Sequence, residues 1–163
     1  APLRSALQSS GRDRAAVTSA APVWAQAQLT IETDGRGSYD ITAEVQRALA
    51  AHQVSAGLCH LFVRHTSASL MLCENADPDV HHDLETLMAR VAPDGDPAYR
   101  HTAEGIDDMA AHMRSVITHT DLTLPVTKGR CALGTWQGIY LWEHRTAPHT
   151  RSITLTLQGT RGD

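Results

Sequence analysis

The 163 residues carry 14 Lys and Arg against 18 Asp and Glu, a formal net charge of −4, which offers no general attraction for nucleic acid or an anionic membrane. One Phe, three Trp and three Tyr make few stacking platforms for bases, and no apolar run approaches the ~18 residues of a bilayer-spanning helix. What remains is the expectation of a soluble, cytoplasmic single domain whose Cys59, Cys73 and Cys131 lack CxxC spacing and read as buried thiols of a reducing compartment.

Residues 1–22, rich in Ala, Ser and Arg with two prolines, read as a flexible leader, and the domain is expected over 23–160. Ala25 to Glu32 alternate apolar and polar, the mark of a half-buried strand. Asp34-Gly35-Arg36-Gly37 is a turn, and Asp40 can cap a helix that carries Ile41, Val45, Ala48 and Leu49 inward. Gly57 restarts the chain in a strand with Cys59, Leu61, Val63 and His65 on one face, followed by a strand from Ser69 to Asn75. Asp77 caps a helix with Pro78 at its first position and an expected inward stripe of Val80, Leu84, Leu87, Met88 and Val91.

A further helix is expected from about Asp108 to Ile117, with Met109, Met113, Val116 and Ile117 as its buried stripe. Late strands are expected over 122–126, 131–143 and 152–158, the second interrupted at Gly134-Thr135-Trp136-Gln137-Gly138 by a bulge or a close backbone approach. Helices set among strands argue for an α+β fold, a sandwich-like single domain of mainly antiparallel sheets. The closing Arg161-Gly162-Asp163 reads as a tail, not an adhesion motif.

The segment from Tyr99 to Arg114 places His101, His112, Glu104, Asp107 and Asp108 around Gly105. Gly105 permits a positive-φ bend, and the spacing of four puts Asp108 and His112 on one helix face. Imidazoles and carboxylates converging at a helix start suit a divalent metal, or acid–base chemistry on a charged substrate. His65 precedes Thr66-Ser67-Ala68-Ser69, whose hydroxyls can hold an imidazole tautomer, contact phosphate, or satisfy a strand bend. Glu74 shares strand parity with Leu70 and Leu72 and needs a partner if that face is buried. The adjacent His81 and His82 point about 100° apart on a helix and read as solvated. Glu143, Arg145 and Arg151 flank the last turn, where an arginine pair could clamp phosphate.

In this order and spacing, His65-Thr66-Ser67-Ala68-Ser69-Leu70, Glu74-Asn75-Ala76-Asp77-Pro78, His101-Thr102-Ala103-Glu104-Gly105 with Asp107 to His112, and Leu133-Gly134-Thr135-Trp136-Gln137 resemble the YjbQ family. The resemblance spans about Trp24 to Gly159. It implies a homotrimer with thiamine-phosphate synthase activity, often called secondary, joining hydroxymethylpyrimidine diphosphate to thiazole phosphate. By that analogy His65, His101 and His112 are metal ligands, Zn²⁺ or else Mg²⁺, and Glu74 and Asp108 act as acid, base or supporting groups. Thr66, Ser67, Gln137 and Arg151 would contact the phosphorylated substrate. After Glu143 the chain departs from the family's usual Asp and Gly-Pro-Arg turn, which makes His144 a poor ligand and leaves a phosphate role for Arg151 open. The competing readings are a metal-dependent hydrolase of a small substrate and a non-enzymatic, small-ligand-binding trimer.

Overall fold

The computed structural model describes residues 21–162, so the expected leader, apart from Ala21 and Pro22, and Asp163 of the tail lie outside the described residues. Two antiparallel sheets and three helices make an α+β fold. The larger sheet runs in the order β1 (Pro22–Thr33), β8 (His149–Arg161), β3 (Val54–Val63), β5 (Asp121–Thr127), β6 (Arg130–Cys131). The smaller runs β2 (Gly37–Asp40), β7 (Gln137–Glu143), β4 (Ala68–Glu74). Alternation sets the register: Ala25, Ala27 and Leu29 of β1 lie opposite Leu157, Leu155 and Ile153 of β8. On the solvent face Gln26 and Gln28 donate to Thr156 and Thr154. Gly57 (φ +150) faces Gly159 across β3 and β8, where a side chain on either would run into the backbone of the other strand.

The small sheet is a middle layer. Leu70, Ile139 and Leu141 join Leu61, Ile153, Leu155 and Leu157 of the large sheet, with Val45 and Leu49 of α1 (Thr42–Ala51), in one core. Met71, Tyr140 and Trp142 point the other way, onto Met88 and Leu84 of α2 (Pro78–Val91). Six of the seven β7 residues are buried for this reason, and each fully buried aliphatic side chain contributes about 1.5–3 kcal/mol. Asp77 caps α2 as expected, accepting from the Asp79 N–H at 2.9 Å.

Several expectations need correction; of the three thiols expected to be buried, Cys73 and Cys131 are only partly so. Residues 131–143 are not one bulged strand: β6 pairs with β5 and β7 with β4, so 132–136 carries the chain between sheets. Leu87 and Val91 are exposed, because α2 rests one narrow face on the small sheet. α3 (Asp108–Ile117) is turned so that Val116 and Ile117 face solvent while Ala110, Ala111, Arg114 and Ser115 are buried. The small alanines allow close approach, and Glu85, 2.9 Å from Arg114, supplies the charge that burying a guanidinium demands. Finally, His81 is partly buried, not solvated: its Nε2 donates to the Glu74 carbonyl at 2.8 Å and its Nδ1 meets the Ser38 hydroxyl at 2.8 Å.

His144, just beyond β7, is fully buried, with Nε2 2.8 Å from the Ser69 hydroxyl. Burial above all, then the nearby Arg114 charge, pushes its pKa from 6.5 down to about 3. Between those values the unfolded chain binds a proton that the folded one refuses, so stability is complete above about pH 6.5 and falls as pH drops toward 3. Urea unfolding at pH 7 and pH 5 should therefore show a His144 contribution of about 2 kcal/mol to the loss. His144→Gln should remove that part of the pH dependence; an unchanged difference between the two pH values would contradict the assignment.

Candidate metal centre

The start of α3 and the loops before β4 and after β7 meet at one place. Gly105 takes φ +110, which turns the chain so that Asp107 and Asp108 open the helix. Asp107 accepts from Arg145 Nε at 3.1 Å, from the Thr146 N–H at 2.8 Å and from the Thr146 hydroxyl at 3.0 Å. Burial would raise its pKa, but these donors and the Arg145 charge outweigh it and bring it down to about 2.

Asp108, 1% exposed, is shared between two kinds of partner. Its Oδ1 accepts from Arg145 Nη1 at 2.6 Å. Its Oδ2 lies 2.6 Å from His101 Nε2 and 3.2 Å from His112 Nε2. Burial opposes its charge, yet the His101 hydrogen bond and the neighbouring cations hold its pKa below the ordinary carboxylate value. The ligand atoms of His101, Asp108 and His112 all fall within 4.8 Å of one another.

The orientation of His112 decides what the cluster can hold. Its Nδ1 lies 2.9 Å from the Thr66 carbonyl oxygen, which can only accept, so Nδ1 carries a proton. In the neutral ring, Nε2 then turns a lone pair toward the Asp108 carboxylate. Two electron-rich atoms at 3.2 Å require a second ring proton or a cation between them. A backbone carbonyl on the far nitrogen and an arginine on the far carboxylate oxygen are the supporting bonds that metal-ligating residues usually have. Two imidazole nitrogens and one carboxylate oxygen suit Zn²⁺ better than Mg²⁺, which prefers oxygen ligands.

The other residues singled out in the sequence fall elsewhere. His65 stands outside the cluster, its Nδ1 accepting from the Ser67 N–H at 3.2 Å. His65 and Thr66 line a cavity of about 480 Å³ that reaches His112, with Ser115, Val116 and Thr118. Glu74 pairs with Gln137 at one end of the β4–β7 ladder, whereas Ala68 and Glu143 pair at the end beside the cluster, ~20 Å away at strand rise. There Glu74 accepts from the Ala76 and Asp77 N–H groups, and Gln137 Oε1 from the Gly134 N–H. Arg151 is not a surface phosphate clamp: its side chain is fully buried, with Nη2 2.5 Å from Glu143 Oε1. Arg145 likewise holds Asp107 and Asp108. That anchoring role is absent from the sequence reading, since no local pattern joins residues 37 and 38 positions apart.

A family model described as "UPF0047 protein YjbQ-like" matches residues 27–160. The chain belongs to the YjbQ (UPF0047) family. YjbQ of Escherichia coli O157:H7 is 48% identical over 84% of this chain and 99% of its own length. The UPF0047 protein sll1880 of Synechocystis is 47% identical over 80% of the chain and 89% of that protein. Among solved structures, the conserved hypothetical protein TT1486 of Thermus thermophilus superposes with a TM-score of 0.72 at 37% identity, over 80% of the chain and 99% of TT1486. The matched span of this UPF0047 member contains the small sheet, the three helices and the whole cluster, and all of the large sheet but the first residues of β1 and Arg161 of β8. No helix among its described residues is long and apolar enough to cross a membrane.

Proposed function

We propose that this UPF0047 member is a cytoplasmic zinc-dependent enzyme, working as a homotrimer, with thiamine-phosphate synthase-like activity. The observation that carries the metal reading is the His112 lone pair directed at the same Asp108 oxygen that His101 approaches. His101, Asp108 and His112 would hold the cation, and three protein ligands leave a position for substrate. Bound there, the cation would supply Lewis acidity toward the diphosphate leaving group.

In the coupling, the bond from the pyrimidine methylene carbon to the diphosphate oxygen breaks and a bond to the thiazole nitrogen forms. No proton leaves either reacting atom, so the reaction makes no demand on Glu74 as a base. Arg145 fixes the Asp108 carboxylate, the Thr66 carbonyl fixes His112, and the open cavity beside His112 offers room for an organic group. Ile106 and Ile117 are exposed apolar residues of the kind that assembly of a homotrimer would cover.

Purified protein should form thiamine phosphate from the two substrates in the presence of Zn²⁺ and lose the activity on chelation. Absence of product with either Zn²⁺ or Mg²⁺, beside a control synthase that turns over, would end the synthase reading.

A further inference from the structure

The Ser67 N–H that reaches His65 Nδ1 can only donate, so Nδ1 holds the lone pair and the proton of the neutral ring sits on Nε2. The Ser67 hydroxyl lies 3.0 Å from the same Nδ1 and 2.9 Å from Arg151 Nη2. A guanidinium has no acceptor; Ser67 Oγ therefore accepts from Arg151 and turns its own proton to His65. Arg151 is held in turn by Glu143, through Nε at 2.6 Å and Nη2 at 2.5 Å. Ser67, Arg151 and Glu143 are all buried, so the chain Glu143, Arg151, Ser67 is a rigid support that selects one tautomer. Partial burial of His65, then the Arg151 charge, disfavours its protonated form and agrees with this.

A ring in this state cannot ligate a metal through Nε2, because the ligating nitrogen needs a lone pair and Nδ1 would then have to carry a proton facing the Ser67 N–H. Nε2–H is left as a donor on a residue that lines the cavity beside His112. That lining contains no Asp, Glu, Lys or Arg; it offers imidazoles, hydroxyls and the Val116 side chain. The lining itself supplies no charge to pair with a charged group, whereas an uncharged polar ring or carbonyl would find the Nε2–H donor and, in Val116, an apolar contact.

We infer that His65 is a hydrogen-bond donor to an uncharged acceptor atom of the substrate, a ring nitrogen or carbonyl oxygen seated in this cavity, and that Ser67, Arg151 and Glu143 are its positioning residues. The inference rests on the proposed function in that His112 borders both the cavity and the cluster and in that the pyrimidine of that reaction serves as the probe.

Long-range ¹⁵N–¹H NMR of the histidine rings tests it in the full chain. Without metal, His65 should show an unprotonated Nδ1 and a protonated Nε2, and adding Zn²⁺ should shift the nitrogens of His101 and His112 while the His65 tautomer stays. Ser67→Ala removes the hydroxyl but keeps the N–H donor on Nδ1, so the Nε2–H tautomer should stay the major one with a smaller share. The uncharged probe 4-amino-5-hydroxymethyl-2-methylpyrimidine should move the His65 Nε2 resonance saturably, and His65→Ala should weaken its binding about tenfold while leaving zinc stoichiometry intact. A protonated Nδ1, a zinc-bound His65 Nε2, or a resonance unmoved by saturating probe would overturn the inference. If zinc fails to bind while the tautomer and the probe response hold, the metal reading fails and this one stands.

Discussion

Asp108→Asn should abolish metal binding while leaving the fold in place. The amide keeps the shape of the carboxylate but not the charge that faces His101 and His112, and Zn²⁺ affinity should fall by more than about 100-fold. A ligand at 100 times its Kd stabilises the native state by about 2.7 kcal/mol, so zinc should raise the wild-type melting temperature by several degrees and leave the variant unmoved. Asp108→Ala should do more harm, because Arg145 Nη1 then loses its 2.6 Å partner in a site where that guanidinium is largely buried. Melting curves with and without Zn²⁺, together with metal content per chain, separate the two effects. Equal zinc content in wild type and Asp108→Asn would remove Asp108 from the ligand set.

Breaking the Glu143–Arg151 pair from one side should cost about 3–5 kcal/mol, and removing both sides together should cost far less. Both side chains have zero exposure, so either charge left alone has neither water nor counter-ion. Glu143 also accepts from Thr33 Oγ1 at 2.9 Å and from the Arg145 N–H at 3.0 Å, and burial alone would raise its pKa were it not for Arg151 and these donors. Arg151→Met should therefore be somewhat milder than Glu143→Leu, since the carboxylate keeps two donors and can take up a proton. Denaturant unfolding of the two single variants and of Glu143→Leu/Arg151→Met gives the coupling directly. Additive losses would mean that the pair is not a unit.

Much of this architecture is legible in the sequence because periodicity reports the direction in which a side chain faces. The alternation in β1 and β8, the Asp77-Pro78 start of α2 and the Gly105 bend each rest on neighbouring residues. So does the meeting of Asp108 and His112, four residues apart on α3. Hydrophobic spacing misleads in α3, where the buried face consists of two alanines and the polar Asp108, Arg114 and Ser115, and the larger apolar residues Val116 and Ile117 lie outside. The pattern there records how closely a helix can approach, which residue hydrophobicity does not measure. It misleads again at 131–143, where residues read as one interrupted strand serve two sheets. The anchoring of Asp107 and Asp108 by Arg145, and the enclosure of Arg151, depend on chain segments brought together only by the finished sheets.

Because β7 has one apolar cluster on each side, it links the two cores. Ile139 and Leu141 cannot leave the first cluster without drawing Tyr140 and Trp142 from the second. The strand ends at Glu143, and the loop beyond it supplies His144 and Arg145. The loop that anchors Asp107 and Asp108 through Arg145 is thus joined directly to the strand that ties the two clusters together.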